Sequence, residues 1–316
     1  MTFMNRRKFV QLSGGACLAG GLTPAAEPVV AEPTTVTADS GASPIRIGLV
    51  VWIGEGQSID AAIRRVHRLG LPTCQIGFRH LTAEVAAPVK EALSKYGVEA
   101  TAFSEHGPGQ RIFDFYRGPE TIGIVPPTTR PARIANLKLA ADVAARCGIP
   151  AIHTHCGFIP ENPNDPLYPQ AVAAVKEVAE HCRERGTIFL CEAGEETPTT
   201  LLRLIQDVGT GNVFVNLDLA NLILYGKGNP VDAMTVFGRY VRGVHAKDGL
   251  FPTGTRELGK PVPFGQGDVD FPAIIKRLRQ VGYTGSLTIE METEGGQSDQ
   301  QILQSKAFLQ RLIRSS

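Results

Sequence analysis

The chain runs to 316 residues, enough for one large domain or two small ones. Its apolar fraction of 43% and its 34 glycines are those of an ordinary globular protein. A net charge of +1, with no run of like charges, excludes the basic surface of a nucleic-acid binder and a polybasic membrane patch.

The first stretch, "NRRKFVQLSGGACLAGGLTPAAEPVVAEP", pairs Arg6 with Arg7, then has Phe9 and a small, weakly apolar run. Small residues close it at Pro24-Ala25-Ala26 and Val29-Val30-Ala31. Over residues 1–31 this order resembles a bacterial twin-arginine export signal with a cleavable end. It implies transient contact with the twin-arginine export machinery and a periplasmic destination; the alternative is a disordered basic tail. The apolar stretch is too short and glycine-rich for a membrane span, and "GGAC" before Cys17 lacks a lipoprotein's leucine. Residues 32–44 read as a Pro/Thr/Ser/Ala linker, with one domain over 45–316. Beyond the signal lie Cys74, Cys147, Cys156, Cys182 and Cys191, an odd count without CxxC. They read as small buried hydrophobes, with one disulfide left open.

From Ile45 onward apolar strand patterns alternate with helical ones. The strands are expected at Ile45–Ile53, Thr73–Gly77, Glu99–Ser104, Ala151–His155, Ile188–Glu192, Val213–Asp218, Val241–His245 and Ser286–Glu290. In "SIDAAIRRVHRLG", Ser58 is a helix N-cap and Gly70 a stop. "TRPARIANLKLAADVAARCG" sets Pro131 early and Gly148 at its end. Further helices are expected at Thr82–Tyr96, Leu167–Arg185, Pro198–Val208, Pro230–Tyr240, Phe271–Val281 and Ser298–Ile313, with Asp270 as a cap. Eight strand-helix units make a (β/α)8 TIM barrel of α/β class. A doubly wound sheet is the alternative, but "VWIGEGQS" offers only Gly54 and Gly56 where a glycine fingerprint belongs. Two long connections, 107–128 and 249–268, leave the catalytic face and are candidate lids, or else surface decoration.

Four consecutive strands finish on metal-competent side chains. "TIFLCE" ends on Glu192, "VFVNLD" on Asp218, "VRGVH" on His245 and "SLTIE" on Glu290. In a closed barrel these ends converge on one mouth, where three crowded carboxylates would repel one another unless a divalent cation sat among them. Ordinary salt-bridge residues are the alternative for each taken singly. Three carboxylates and one imidazole, with no thiolate, suit manganese, magnesium or cobalt better than structural zinc.

These residues, with "FLCEAGEE", "VFVNLDLANLILYGKGNP", "VHAKDG", "FGQGDVDFPAIIKRLRQVGYTGSLTIEME" and "IHTHCGFIPEN", give the chain a resemblance to the xylose-isomerase-like TIM-barrel superfamily, the sugar phosphate isomerase/epimerase group. The resemblance covers the chain from Ile45 to its C-terminus. It implies a metal, manganese first, held by Glu192, Asp218, His245 and Glu290. It also implies that Glu192 and Glu290 act as an acid/base pair on either side of a substrate carbon. The metal would stabilise an enediolate while one carboxylate takes a proton and the other returns one. Members of the family often form dimers or tetramers. Many family epimerases carry histidine where this chain has Asn221, which can hydrogen-bond a sugar hydroxyl but carries no proton. That departure makes the usual ketose substrate an open question.

His155, on one face of its strand with His153, is read as a substrate contact or a core histidine. Trp52 stacks on a sugar ring or packs in the core. Glu105 and His106 line the same mouth. Lys247 meets a substrate oxyanion, or neutralises Asp248 or Glu292. Arg256 and Lys260 reach an anionic substrate or are solvated loop charges. The leading expectation is a metal-dependent sugar isomerase or epimerase, and export favours a non-phosphorylated carbohydrate substrate. A lyase using the same first step on a 3-keto-glycoside or an inosose is the rival. An endonuclease IV-like phosphodiesterase would need more histidines than seven and a basic surface. A non-catalytic sugar-binding protein would have no use for both glutamates.

Overall fold

A computed structural model of the chain describes residues 45–290 and 298–315. The signal-like stretch and linker expected over 1–44, and Glu292, lie outside the described residues.

Eight strands form wherever a run of apolar residues is closed by a turn. They are β1 (Arg46–Ile53), β2 (Thr73–Phe78), β3 (Glu99–Ser104), β4 (Ala151–His155), β5 (Ile188–Glu192), β6 (Val213–Asp218), β7 (Val241–Ala246) and β8 (Ser286–Ile289). All pair in parallel, in sequence order, and β8 closes on β1. Each is followed by a helix: α1 (Ile59–Arg68), α2 (Ala86–Tyr96), α3 (Arg130–Cys147), α4 (Leu167–Glu184), α5 (Pro198–Val208), α6 (Pro230–Phe237), α7 (Phe271–Gln280) and α8 (Asp299–Ser315). The expected (β/α)8 barrel is therefore the fold. The Ser58 hydroxyl accepts from Ala61 N and the Asp270 carboxylate from Ala273 N, so both caps fall where expected.

The main core lies between sheet and helices, with Ile63, Val89, Leu137, Val178, Leu204 and Leu278 facing inward from successive helices. Inside the barrel the side chains come in levels. Ala102, Ala151 and Leu190 pack together, with Ile188 and Phe214 against them. Two residues beyond Ala102, Ala151, Leu190 and Phe214 stand Ser104, His153, Glu192 and Asn216, the polar level toward the mouth. Gly77 has a steric reason to be glycine. It lies opposite Trp52 on β1, and a Cβ there would stand 2.3 Å from the indole ring.

Both long connections, the candidate lids, are tied to the barrel by hydrogen bonds. Arg133 of α3 is 1% exposed and donates to the carbonyls of Pro108, Gln110, Thr121 and Gly123. Arg130 does the same for Ile124 and Val125. These bonds fix most of the connection after β3, which includes a one-turn helix at Gly118–Thr121. After β7 the chain makes an antiparallel hairpin of Gly249–Leu250 with Lys260–Pro261. The Asp248 carboxylate holds its far side by accepting from the backbone N–H of Gly249, Gly265, Gly267 and Val269.

Candidate active site

β5, β6, β7 and β8 are neighbours, so their C-terminal ends meet at one side of the mouth. Glu192, Asp218, His245 and Glu290 each offer a ligand atom within 4.8 Å of the others. His245 Nδ1 stands 3.1 Å from Glu192 Oε1, 3.2 Å from Glu290 Oε2 and 3.8 Å from Asp218 Oδ2. Asp218 Oδ1 accepts from the backbone N–H of Ala220 and Asn221, which aims Oδ2 at the cluster, where it has no hydrogen-bond partner among the described residues. An orphaned buried carboxylate oxygen, two further carboxylates and an imidazole fit a divalent cation.

The orientation of His245 is set from below. Its Nε2 lies 2.6 Å from Gln75 Oε1, and Gln75 Nε2 donates to Asn216 Oδ1 at 3.3 Å. Because the Gln75 oxygen can only accept, His245 keeps a proton on Nε2, and Nδ1, which faces the carboxylates, is the nitrogen that would give up its proton to a cation. A Cβ at Gly243 would stand 2.2 Å from Asn216 Oδ1, so the glycine keeps room for this chain of amides.

Without a cation the charges settle among themselves. Burial would raise Glu192, but His155 and His245 outweigh it and hold the carboxyl well below its ordinary range. Glu290 is lowered in the same way by His245 and Lys247. Asp218 goes the other way: burial, only partly opposed by Lys247, pushes it up to about 7. His245 rises because Glu290 and Glu192 outweigh its burial.

The other expected site residues take various places. Lys247 Nζ donates to Asn221 Oδ1 at 3.1 Å and lies 3.6 Å from Glu290 Oε2. Asn221 Nδ2 reaches Glu192 Oε1 at 3.5 Å. His155 Nε2 is 3.5 Å from Glu192 Oε1, and its Nδ1 is 2.9 Å from Glu195 Oε1. Trp52 is 36% exposed and stacks on His106 at 4.9 Å, which in turn stacks on His155. Glu105 Oε1 turns back to accept from His106 N and Gly107 N, so this carboxylate shapes its own loop. Arg256 is exposed and Lys260 lies in the hairpin, neither within the cluster.

The sequence reading passed over Gln75, Asn216 and Glu195. Gln75 and Asn216 are each a lone amide in an apolar strand, "TCQIGF" and "VFVNLD", and that interruption was the available signal. Nothing local marks Glu195 as buried.

Residues 63–312 match the family described as xylose isomerase-like TIM barrel. The crystal structure of a xylose isomerase domain protein from Planctomyces limnophilus is similar at 32% identity and a TM-score of 0.78, over 85% of this chain and 98% of that one. A putative L-ribulose-5-phosphate 3-epimerase, SgbU, of Escherichia coli (strain K12) is 34% identical over 101 residues, 31% of this chain and 35% of the relative. The chain thus spans about half or less of the curated relatives it matches. A xylose isomerase-like TIM barrel protein from Mycobacterium smegmatis, solved in complex with magnesium, shares the fold at 19% identity and a TM-score of 0.63, over 86% of this chain and 97% of that one.

Proposed function

The chain belongs to the xylose isomerase-like TIM barrel family, and from that premise we propose that it is a metal-dependent sugar isomerase or epimerase acting by proton abstraction beside a carbonyl. The observation that carries this reading is the convergence of Glu192, Asp218, His245 and Glu290. These four would hold a divalent cation, manganese first, then magnesium or cobalt. When bound, it supplies Lewis-acid stabilisation of negative charge growing on a substrate carbonyl oxygen.

The chain's own residues do the rest. Glu192 and Glu290 approach His245 Nδ1 at nearly equal distance, 3.1 and 3.2 Å, from neighbouring sides of the cluster. A substrate carbon between them meets one carboxylate to take its proton and another to return one. Both are held below the usual carboxylate range, so either can start as the base, and the one that returns a proton must first take one up, from solvent or, for Glu290, from Lys247 at 3.6 Å. Lys247 donates toward the developing oxyanion, and Asn221 and His155 orient substrate hydroxyls. Trp52 offers a half-open stacking face, and Glu105 shapes the rim beside it.

SgbU is named for a phosphorylated substrate. The signal-like residues 1–31 favour a non-phosphorylated sugar or sugar derivative here, in the periplasm after twin-arginine export, with 45–316 as the working domain. A second reading is a lyase. Elimination needs one base and a proton donor for the leaving group, a part open to the second glutamate or to His155, which stands beside Glu192 and Glu195.

Proton exchange separates the readings. Metal-reloaded protein in D2O, offered ketoses, inososes and 3-keto-glycosides, is expected to place deuterium beside the carbonyl as an epimer or isomer accumulates. Glu290→Gln is expected to stop it. Loss of water or aglycone with an unsaturated product selects the lyase, and no exchange with or without metal refutes both.

A further inference from the structure

Besides the carboxylate-rich set, His153, Glu192 and His245 form a second group whose ligand atoms lie within 4.8 Å of one another. His153 is 1% exposed, and neither ring nitrogen has a hydrogen-bond partner among the described residues. A buried imidazole whose only close polar neighbour, Glu192, meets it outside good hydrogen-bond geometry is costly unless something else uses its nitrogens. Its Nδ1 stands 3.3 Å from Glu192 Oε2, and His245 Nδ1 stands 3.1 Å from Glu192 Oε1. Donors about 2.0–2.1 Å from a tetrahedral ion are about 3.3–3.4 Å apart, so each imidazole already stands near that spacing from one oxygen of Glu192, and a small turn of the carboxylate would present a single oxygen to both.

We propose that His153, Glu192 and His245 form a second, inner cation seat that prefers zinc and is filled in place of the carboxylate seat, not together with it. Two imidazoles and one carboxylate are a zinc-like donor set, whereas three carboxylates and one imidazole suit manganese or magnesium. The seats exclude each other because both need His245 Nδ1. The other nitrogen of His245 is committed to Gln75. Zinc in the inner seat draws Glu192 and His245 away from Asp218 and Glu290, and so disables the outer one. The proposal rests on the carboxylate seat inferred above for the reaction.

Calorimetric titration of the metal-free full-length protein with zinc chloride and with manganese chloride separates the two. Wild type is expected to bind one equivalent of either ion, with zinc displacing manganese. His153→Leu is expected to weaken zinc at least tenfold and leave manganese within about twofold. Asp218→Asn is expected to weaken manganese at least tenfold and leave zinc within about threefold. His153→Asn serves if circular dichroism finds the leucine variant unfolded. Cobalt(II) gives an independent readout: intense visible bands of a tetrahedral ion in wild type, weak six-coordinate bands in the His153 variants. Equal losses of zinc and manganese on changing His153 overturn the inner seat, and so does an absence of zinc binding in wild type. One equivalent of each ion bound together overturns the exclusion. Zinc binding that depends on His153, with no manganese binding at all, leaves the inner seat standing and removes the carboxylate seat.

Discussion

Replacing Gln75 by leucine tests how the cluster is aimed. The side chain loses about one heavy atom of volume, so the change is chiefly chemical. It removes the acceptor 2.6 Å from His245 Nε2 and the donor 3.3 Å from Asn216 Oδ1. Two buried polar groups lose their partner, at about 1–3 kcal/mol each in folding stability. The larger consequence is for His245, whose proton is no longer directed to Nε2, so Nδ1 is a lone pair for only part of the population. Outer hydrogen bonds of this kind typically contribute about 10- to 100-fold to metal affinity, or about 1.4–2.8 kcal/mol. Calorimetry with manganese reads the affinity, and nitrogen-15 spectra of the diamagnetic magnesium-loaded protein read which imidazole nitrogen keeps its proton. A Gln75→Leu protein that binds manganese like wild type, with His245 still protonated on Nε2, would refute the reasoning.

Arg133→Ala is expected to cost about 3–5 kcal/mol, since it strips donors from four main-chain carbonyls around one buried charge. Urea unfolding measures it, and a loss under about 1 kcal/mol would show that water replaces the guanidinium. Burial pushes the Cys74 and Cys182 thiols up to about 12, so neither should react with a thiol reagent in the native protein. In a Cys17→Ser background, rapid native labelling of Cys74 would contradict its burial. Metal binding should weaken in acid. With Asp218 at about 7, its folded-state proton stabilises the metal-free protein fully below the unfolded value, a contribution lost as pH rises through about 7. A cation needs that proton gone. Apparent affinity from this group alone should therefore be about tenfold weaker at about pH 6 than at about pH 8, by calorimetry. A flat profile would place Asp218 outside the ligand set.

The barrel and the meeting of the four strand-end residues were legible because both leave local marks. A buried parallel strand is a short apolar run, and a charge closing such a run stands out, as at Asp218. What was not legible depends on partners far away in the chain. Gln75 matters through a strand 170 residues on, and Gly243 through Asn216. Arg133 looks like any helix arginine until the carbonyls of the preceding connection close around it. His153 was visible beside His155, but its want of a well-aligned hydrogen bond is a property of the packed barrel.

The acceptors of Arg133 are all main-chain carbonyls. Any residue supplies one, so the tether makes no demand on the side chains of the wall it holds. The stretch from Gly107 to Gly123 can thus vary at its other positions while one arginine on the neighbouring helix keeps its path, provided the glycines at 107, 109, 118 and 123 and the bonding side chains of Asp114 and Thr121 stay. The strands hold the chemistry and the tethered wall borders the entrance. Variation or a redesign library confined to that wall, with Phe113 kept against His155, would change what enters the mouth while leaving the metal cluster in place.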